Sequence, residues 1–162
     1  MKKKIWGKRV LLPGGWSSNT LIDIDHKGRI KDIRKNVEPS NQVFDTLIPS
    51  PMNLHSHCFQ RAMSGLSERS QSKTNDFWSW RNFMYSFLNK ITPDHFEAIC
   101  ALAQMEMLEA GYAGVSEFHY LHNDLSGVRY NNISEMSQRV INASKKSVCC
   151  FKLRCDIDHS IS

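Results

Sequence analysis

The 162-residue sequence predicts an α/β protein, in which a small β unit precedes the first strand–helix units of a parallel sheet. Two observations predict this class. Short β-prone runs separated by turn residues fill the first 48 residues, and strands alternate with helices from about residue 53 onwards. Such alternation is typical of an α/β barrel or of a doubly wound sheet, in which helices cover parallel strands.

The first unit, residues 1–48, is predicted to be antiparallel. Its β-prone runs are residues 5–12, 20–24, 30–33 and 43–48. A turn is predicted at Pro13-Gly14-Gly15 and another at His26-Lys27-Gly28. Pro49 and Pro51 then hold the chain extended at the start of the second unit.

The second unit, residues 49–146, is predicted to contain two strands and several helices. These are a strand ending at residue 57, a short helical stretch over 59–66, a polar loop over 67–75, an aromatic helix over 76–88, a helix over 92–110, a strand over 113–118 and a helix over 132–146. Most of the aromatic stripe of the helix over 76–88 is expected to pack in the core. The clearest helix has Thr92 as its N-cap and Pro93 at its first position, and Gly111 ends it.

Residues 147–162 fit this succession poorly. A third parallel strand is expected there, but charged residues stand at nearly every second position, whereas a strand buried on both faces is apolar. We therefore expect a divergent tail, such as a frameshift or a premature stop produces.

Composition and charge exclude several classes of protein. The 21 basic residues outnumber the 16 acidic ones, but residues 1–9 carry the whole excess, which argues against a nucleic-acid-binding face. No stretch suits a signal peptide or a membrane span, so a cytoplasmic protein is expected. The five cysteines are odd in number and form no CxxC pair, which indicates reduced thiols.

His55 and His57 are the first candidates for chemistry. Side chains two positions apart on a strand point to the same side, so both imidazoles can bind one metal ion. The pair also stands at the C-terminal end of a strand, where barrel and open-sheet enzymes place their sites. Two hydrogen-bonded structural histidines are the alternative.

Three further side chains have two interpretations each. His119 and His122 follow the second strand, and they are either a second ligand pair or contacts to substrate or protein. Arg81 lies on the aromatic helix, where its guanidinium either extends to water or binds a carboxylate.

Four stretches together resemble the formimidoylglutamate deiminases, a branch of the metal-dependent amidohydrolase superfamily. They read LLPGGW at 11–16, NLHSHCFQRAM at 53–63, FWSWR at 77–81 and EFHYLH at 117–122. The resemblance extends from about residue 5 to residue 146. One departure is Pro49-Ser50-Pro51-Met52, where family members tend to read Pro-Gly-x-Pro.

The resemblance implies a fold and a reaction. The fold is the N-terminal part of a TIM-like (β/α)8 barrel preceded by a small β-sandwich unit, and the barrel is incomplete because a whole one takes about 200–250 residues. The reaction is hydrolysis of N-formimidoyl-L-glutamate to N-formyl-L-glutamate and ammonia in histidine degradation, by a zinc-activated water. A small-molecule substrate, no nucleic-acid or membrane partner and, for full-length relatives, a homodimer are implied.

The resemblance also assigns residues. His55 and His57 match zinc ligands, with one zinc per complete site, while Gln60, Arg81 and Tyr120 match substrate-contacting positions. The general acid/base is expected in later strand–helix units, so this N-terminal fragment is expected to be inactive alone. The alternatives are another amidohydrolase-superfamily deaminase, acting on an aminopurine or amidine, and a non-catalytic binding module.

Overall fold

A computed structural model describes residues 3–40, 42–66 and 77–147 of the chain. The chain divides into two compact units, Met1–Ser50 and Pro51–Ser162. The predicted loop over 67–75 and the predicted tail beyond residue 147 lie outside the described residues. Within the described ranges, no helix is both long and apolar enough to cross a membrane.

The first unit is a four-stranded sheet with the order β3-β2-β1-β4. Its strands are β1 (Lys3–Leu12), β2 (Gly15–Ile24), β3 (Ile30–Arg34) and β4 (Gln42–Leu47). The hairpin between β1 and β2 turns at the predicted place, where Gly15 adopts a φ of +109° that favours glycine.

The predicted antiparallel arrangement is right for β1, β2 and β3 but wrong for β4. Strand β4 pairs with β1 in parallel, and Ile5 lies opposite Gln42. The reason is the connection after β3, which carries the chain back to the starting end of β1, so that β4 runs beside β1 in the same direction. In this connection the Val37 carbonyl accepts a hydrogen bond from the Trp6 indole. The described residues of this unit form one sheet, and a second sandwich layer is not among them.

The second unit pairs two parallel strands and packs helices beside them. Its elements are β5 (Met52–Ser56), a 3₁₀ helix (Cys58–Met63), α1 (Phe77–Leu88), α2 (Pro93–Glu109), β6 (Gly114–Glu117) and α3 (Glu135–Ser147). In the ladder between β5 and β6, Asn53 lies opposite Val115 and Ser56 lies opposite Glu117. This is the predicted strand–helix succession of an incomplete α/β barrel.

Helix α2 begins and ends where the sequence predicts. The Thr92 side chain accepts a hydrogen bond from the His95 amide, and Pro93 occupies the first helical position. Gly111 follows the helix with a φ of +90°, which only glycine adopts without strain. Its buried face, formed by Phe96, Cys100 and Ala103, belongs to the core of this unit.

The aromatic stripe of α1 is only partly in the core. The buried side chains of this helix are Met84 and Leu88. Most of the stripe lies where the sequence predicts, because three further half-buried rings pack against the core: Trp80, Phe83 and Phe87. Phe77 and Trp78 are the exception, since both stand on the first turn and are 62% and 63% exposed.

The cysteine prediction is wrong for one pair. Cys58 and Cys100 form a disulfide whose Cα atoms are 5.2 Å apart. Their separation of 42 residues gives no sequence signal, because the two sulfur atoms meet only when the 3₁₀ helix packs against α2.

Replacing the side chain at the centre of this core should cost far more stability than replacing an exposed one on the same helix. Phe96→Ala removes a ring that is 0% exposed, and we expect a loss of about 3–5 kcal/mol in the free energy of unfolding. Leu102→Ala, at a 43% exposed position, should change it by no more than about 0.5 kcal/mol. Urea unfolding measures both, and equal losses would contradict the assigned core.

Candidate metal centre

The two histidines at the end of β5 converge on one point. Nε2 of His55 lies 2.9 Å from Nε2 of His57, and the two ring centroids are 4.7 Å apart. The spacing of two residues brings both rings to one side of the chain, as the sequence predicts. His55 is exposed and His57 is half-buried, so the point between the nitrogen atoms faces solvent.

A backbone carbonyl selects the tautomer of the His57 ring. Nδ1 of His57 lies 2.8 Å from the carbonyl oxygen of Phe118, which follows β6. A carbonyl only accepts hydrogen bonds, so Nδ1 carries the proton and Nε2 of the neutral ring has a free lone pair. The partner nitrogen of His55 is therefore the donor in the 2.9 Å contact.

This donor set suits a zinc ion. Two nitrogen ligands of a tetrahedral zinc, each at about 2.0–2.1 Å, stand about 3.3 Å apart, so the observed separation needs to widen by a few tenths of an ångström. A histidine ligand that donates its other ring nitrogen to a carbonyl is also the usual arrangement around zinc. Among the described residues, no group of three or more histidine, cysteine or acidic side chains is assembled to hold a metal.

The 3₁₀ helix that follows His57 is anchored on two sides. At its start, the amide of Cys58 donates to Oε1 of Glu117 at 2.7 Å, and the Cys58 sulfur is bonded to Cys100 of α2. Further along, Arg61 donates to both carboxylate oxygens of Glu106 on α2, at 2.6 and 2.7 Å. These contacts hold the chain directly after the histidine pair.

Glu117 is the residue of this site whose role the sequence did not reveal. It ends β6, is only 5% exposed, and accepts hydrogen bonds from the Cys58 amide and the Ser56 side chain. Burial raises its pKa to about 7, against the lowering effect of those two hydrogen bonds. An acidic residue at the end of an apolar strand was the available signal, since a carboxyl group is rarely buried without a partner.

Of the three predicted substrate contacts, Tyr120 lies beside the histidine pair, whereas Gln60 contacts helix α1. The Tyr120 ring lies 5.3 Å from the ring of His57, and burial followed by the charge of nearby Tyr85 raises the pKa of its phenol. Nε2 of Gln60 reaches the Met84 sulfur at 3.9 Å.

The guanidinium of Arg81 lies between two aromatic rings of its own helix. Its central carbon is 5.7 Å from the Trp78 ring centroid and 5.4 Å from that of Tyr85. This stacking holds the guanidinium in place while the side chain remains half-exposed.

His119, two residues after β6, contacts helices α2 and α3. Its Nε2 is 3.0 Å from the Ser137 hydroxyl of α3, and its ring contacts Phe96 of α2. Burial, and next the charge of His122, lower the pKa of His119 to about 4, so the ring is neutral at pH 7. Of the two interpretations left open, the structure therefore supports a protein contact for His119.

Known proteins resemble this chain in both sequence and structure. No protein-family model matches the sequence. A formimidoylglutamate deiminase of Pseudomonas aeruginosa is 39% identical over 142 residues, which are 86% of this chain and 31% of the relative. The chain therefore spans about one third of the length of that relative.

Two solved structures share the fold. An amidohydrolase from Brucella melitensis is 39% identical with a TM-score of 0.81, and the match covers 93% of this chain and 34% of that one. An atrazine chlorohydrolase from Arthrobacter aurescens, complexed with zinc, is 20% identical with a TM-score of 0.66, and the match covers 93% of this chain and 34% of that one. The fold and the sequence together match the N-terminal part of amidohydrolase chains. Within that superfamily the chain is a relative of formimidoylglutamate deiminase, as its motifs predict.

The buried carboxyl of Glu117 should make stability depend on pH. Its pKa is 4.5 in an unfolded chain and about 7 when folded, so the unfolded state loses its proton first as the pH rises. The contribution of Glu117 to stability is therefore full below about pH 4.5 and falls by about 3 kcal/mol up to pH 7. Glu117→Gln removes this titration. Urea unfolding from pH 4 to pH 8 should show the difference between the two proteins, and parallel pH curves would contradict it.

Proposed function

We propose that this chain forms the N-terminal part of an enzyme site that hydrolyses the formimidoyl C–N bond of N-formimidoyl-L-glutamate. The products are N-formyl-L-glutamate and ammonia, and the reaction is a step of histidine degradation. The observation that carries the proposal is the convergence of the His55 and His57 Nε2 atoms in a chain 39% identical to a formimidoylglutamate deiminase.

His55 and His57 would hold the zinc ion of this site. When bound, zinc supplies a hydroxide nucleophile for the amidine carbon, because it lowers the pKa of a bound water molecule to about 7. His57 is already in the tautomer that leaves Nε2 free, whereas His55 must move its ring proton to Nδ1 before Nε2 can act as a ligand. Catalytic zinc sites keep three protein ligands and one open position, so the described residues supply only part of the ligand set.

Arg81, Tyr120 and Gln60 would bind and orient the substrate. A guanidinium recognises a carboxylate with two parallel hydrogen bonds, which suits one of the two glutamate carboxylates. The Tyr120 phenol is protonated at neutral pH, as an ordinary tyrosine is, so it can donate a hydrogen bond beside His57. Burial raises its pKa further. The Gln60 amide offers both a donor and an acceptor.

A chimaeric enzyme tests this proposal. Residues 1–147 of this chain replace the matching N-terminal third of the Pseudomonas aeruginosa deiminase, and circular dichroism and zinc content establish that the product is folded and loaded. We expect zinc-dependent release of ammonia from N-formimidoyl-L-glutamate. Arg81→Met in the chimaera should lower kcat/KM for this substrate about 10- to 100-fold, because a charged hydrogen-bonded contact is lost. It should leave an N-alkylformamidine that lacks carboxylates nearly unaffected.

The same ammonia-release assay provides a control variant and the results that would contradict the proposed substrate or the role of Arg81. Arg34→Met, at an exposed position of β3, should leave both substrates unchanged. The 162-residue polypeptide alone is expected to release no ammonia, because its described residues assemble too few ligands. A folded, zinc-loaded chimaera that deaminates an aminopurine but not N-formimidoyl-L-glutamate would contradict the proposed substrate. Equal losses on both substrates would contradict the role of Arg81.

A further inference from the structure

Glu117 is a buried carboxyl group for which the proposed chemistry provides no task. Among the described residues, no lysine or arginine forms an ion pair with it, although its side chain is 5% exposed. Burying a carboxyl group away from water is costly unless hydrogen bonds compensate it. Its partners are therefore informative, and they are the amide of Cys58 and the side chain of Ser56.

These two partners stand on either side of the candidate ligand His57. Ser56 is further fixed through its carbonyl oxygen, which accepts the Phe118 amide at 2.9 Å. The Cys58 amide donates to Oε1 of Glu117 at 2.7 Å, in a buried environment where the bond is well protected from water. Phe118, the next residue after Glu117, supplies the carbonyl that binds Nδ1 of His57. Glu117, the last residue of β6, and Phe118 directly after it thus hold the backbone before and after this ring and the ring itself.

We propose that Glu117 is a positioning residue, which accepts the Cys58 amide proton and thereby keeps Nδ1 of His57 on the Phe118 carbonyl and Nε2 directed at His55. The inference rests on the proposed zinc site. The site requires a hydrogen-bond acceptor at position 117, and it does not require a negative charge there. Without an acceptor, the buried Cys58 amide is left unsatisfied, and the peptide after His57 turns to find another partner.

The size of the effect follows from the behaviour of groups that orient metal ligands. Loss of such a partner typically weakens metal affinity about 10- to 100-fold. Glu117→Leu keeps most of the volume and removes the acceptor, so we expect a loss of that size. Glu117→Gln keeps a carbonyl oxygen within reach of the amide, and its zinc affinity should stay within about threefold of the unsubstituted chain.

The experiment uses the full 162-residue chain with zinc as the probe. The zinc Kd is measured by competition with a chromophoric chelator at pH 8, and a double variant, His55→Ala with His57→Ala, provides the background from binding elsewhere on the chain. Glu109→Gln, at an exposed position on the last turn of α2, is the matched control and should bind zinc unchanged. Thermal unfolding establishes that each variant is folded.

A second readout needs no metal. Nitrogen-15 NMR of the imidazole rings reports which ring nitrogen of His57 carries the proton. The unsubstituted chain and Glu117→Gln should show the Nδ1–H form, whereas Glu117→Leu should show a mixture of both tautomers. If the leucine variant does not fold, Glu117→Asp serves instead, because its shorter side chain cannot reach the Cys58 amide without a backbone shift.

The outcomes separate this inference from the proposed function. A folded Glu117→Leu with unchanged zinc affinity and an intact Nδ1–H tautomer would overturn the inference, because Glu117 would then act on stability alone. A glutamine variant as weak as the leucine variant would overturn it too, since charge would be the requirement. If the unsubstituted chain binds no zinc above background, the proposed metal site fails, but loss of the Nδ1–H tautomer in Glu117→Leu still supports the positioning role.

Discussion

The hydrogen bond from Nδ1 of His57 to the carbonyl oxygen of Phe118 is the contact on which the candidate site depends. It joins the ends of the two parallel strands of the second unit, and it decides which ring nitrogen is available to a metal ion. The ladder between β5 and β6 places the carbonyl there, because Ser56 lies opposite Glu117 and Phe118 is the next residue. Packing of α2 against the 3₁₀ helix holds the following turn in place.

The sequence predicted those features that depend on local patterns. Thr92, Pro93 and Gly111 delimit α2 because capping and glycine conformation act within a few residues. The histidine pair was predictable in the same way, since the two-residue period of a strand puts both rings on one side. The motifs around it were specific enough to predict the family, which the comparisons confirm.

Features that depend on contacts between distant residues were not predictable. Strand β4 pairs in parallel with β1 because of the route of the connection after β3, which no single residue specifies. Cys58 meets Cys100 only through the packing of the 3₁₀ helix on α2, and Glu117 meets Cys58 only through the strand register. The exposure of Phe77 and Trp78 has the same origin, because hydrophobic spacing shows which side chains are apolar but not which elements lie next to them.

His55 and His57 are proposed to bind one zinc ion through their Nε2 atoms. X-ray absorption spectroscopy at the zinc edge tests it most directly, on the chain loaded with less than one equivalent of zinc. Imidazole nitrogen scattering at about 2.0–2.1 Å is expected, and it should disappear in the chain carrying His55→Ala and His57→Ala. Scattering dominated by sulfur at about 2.3 Å, unchanged in that variant, would show that cysteines hold the metal and would rule out the histidine site.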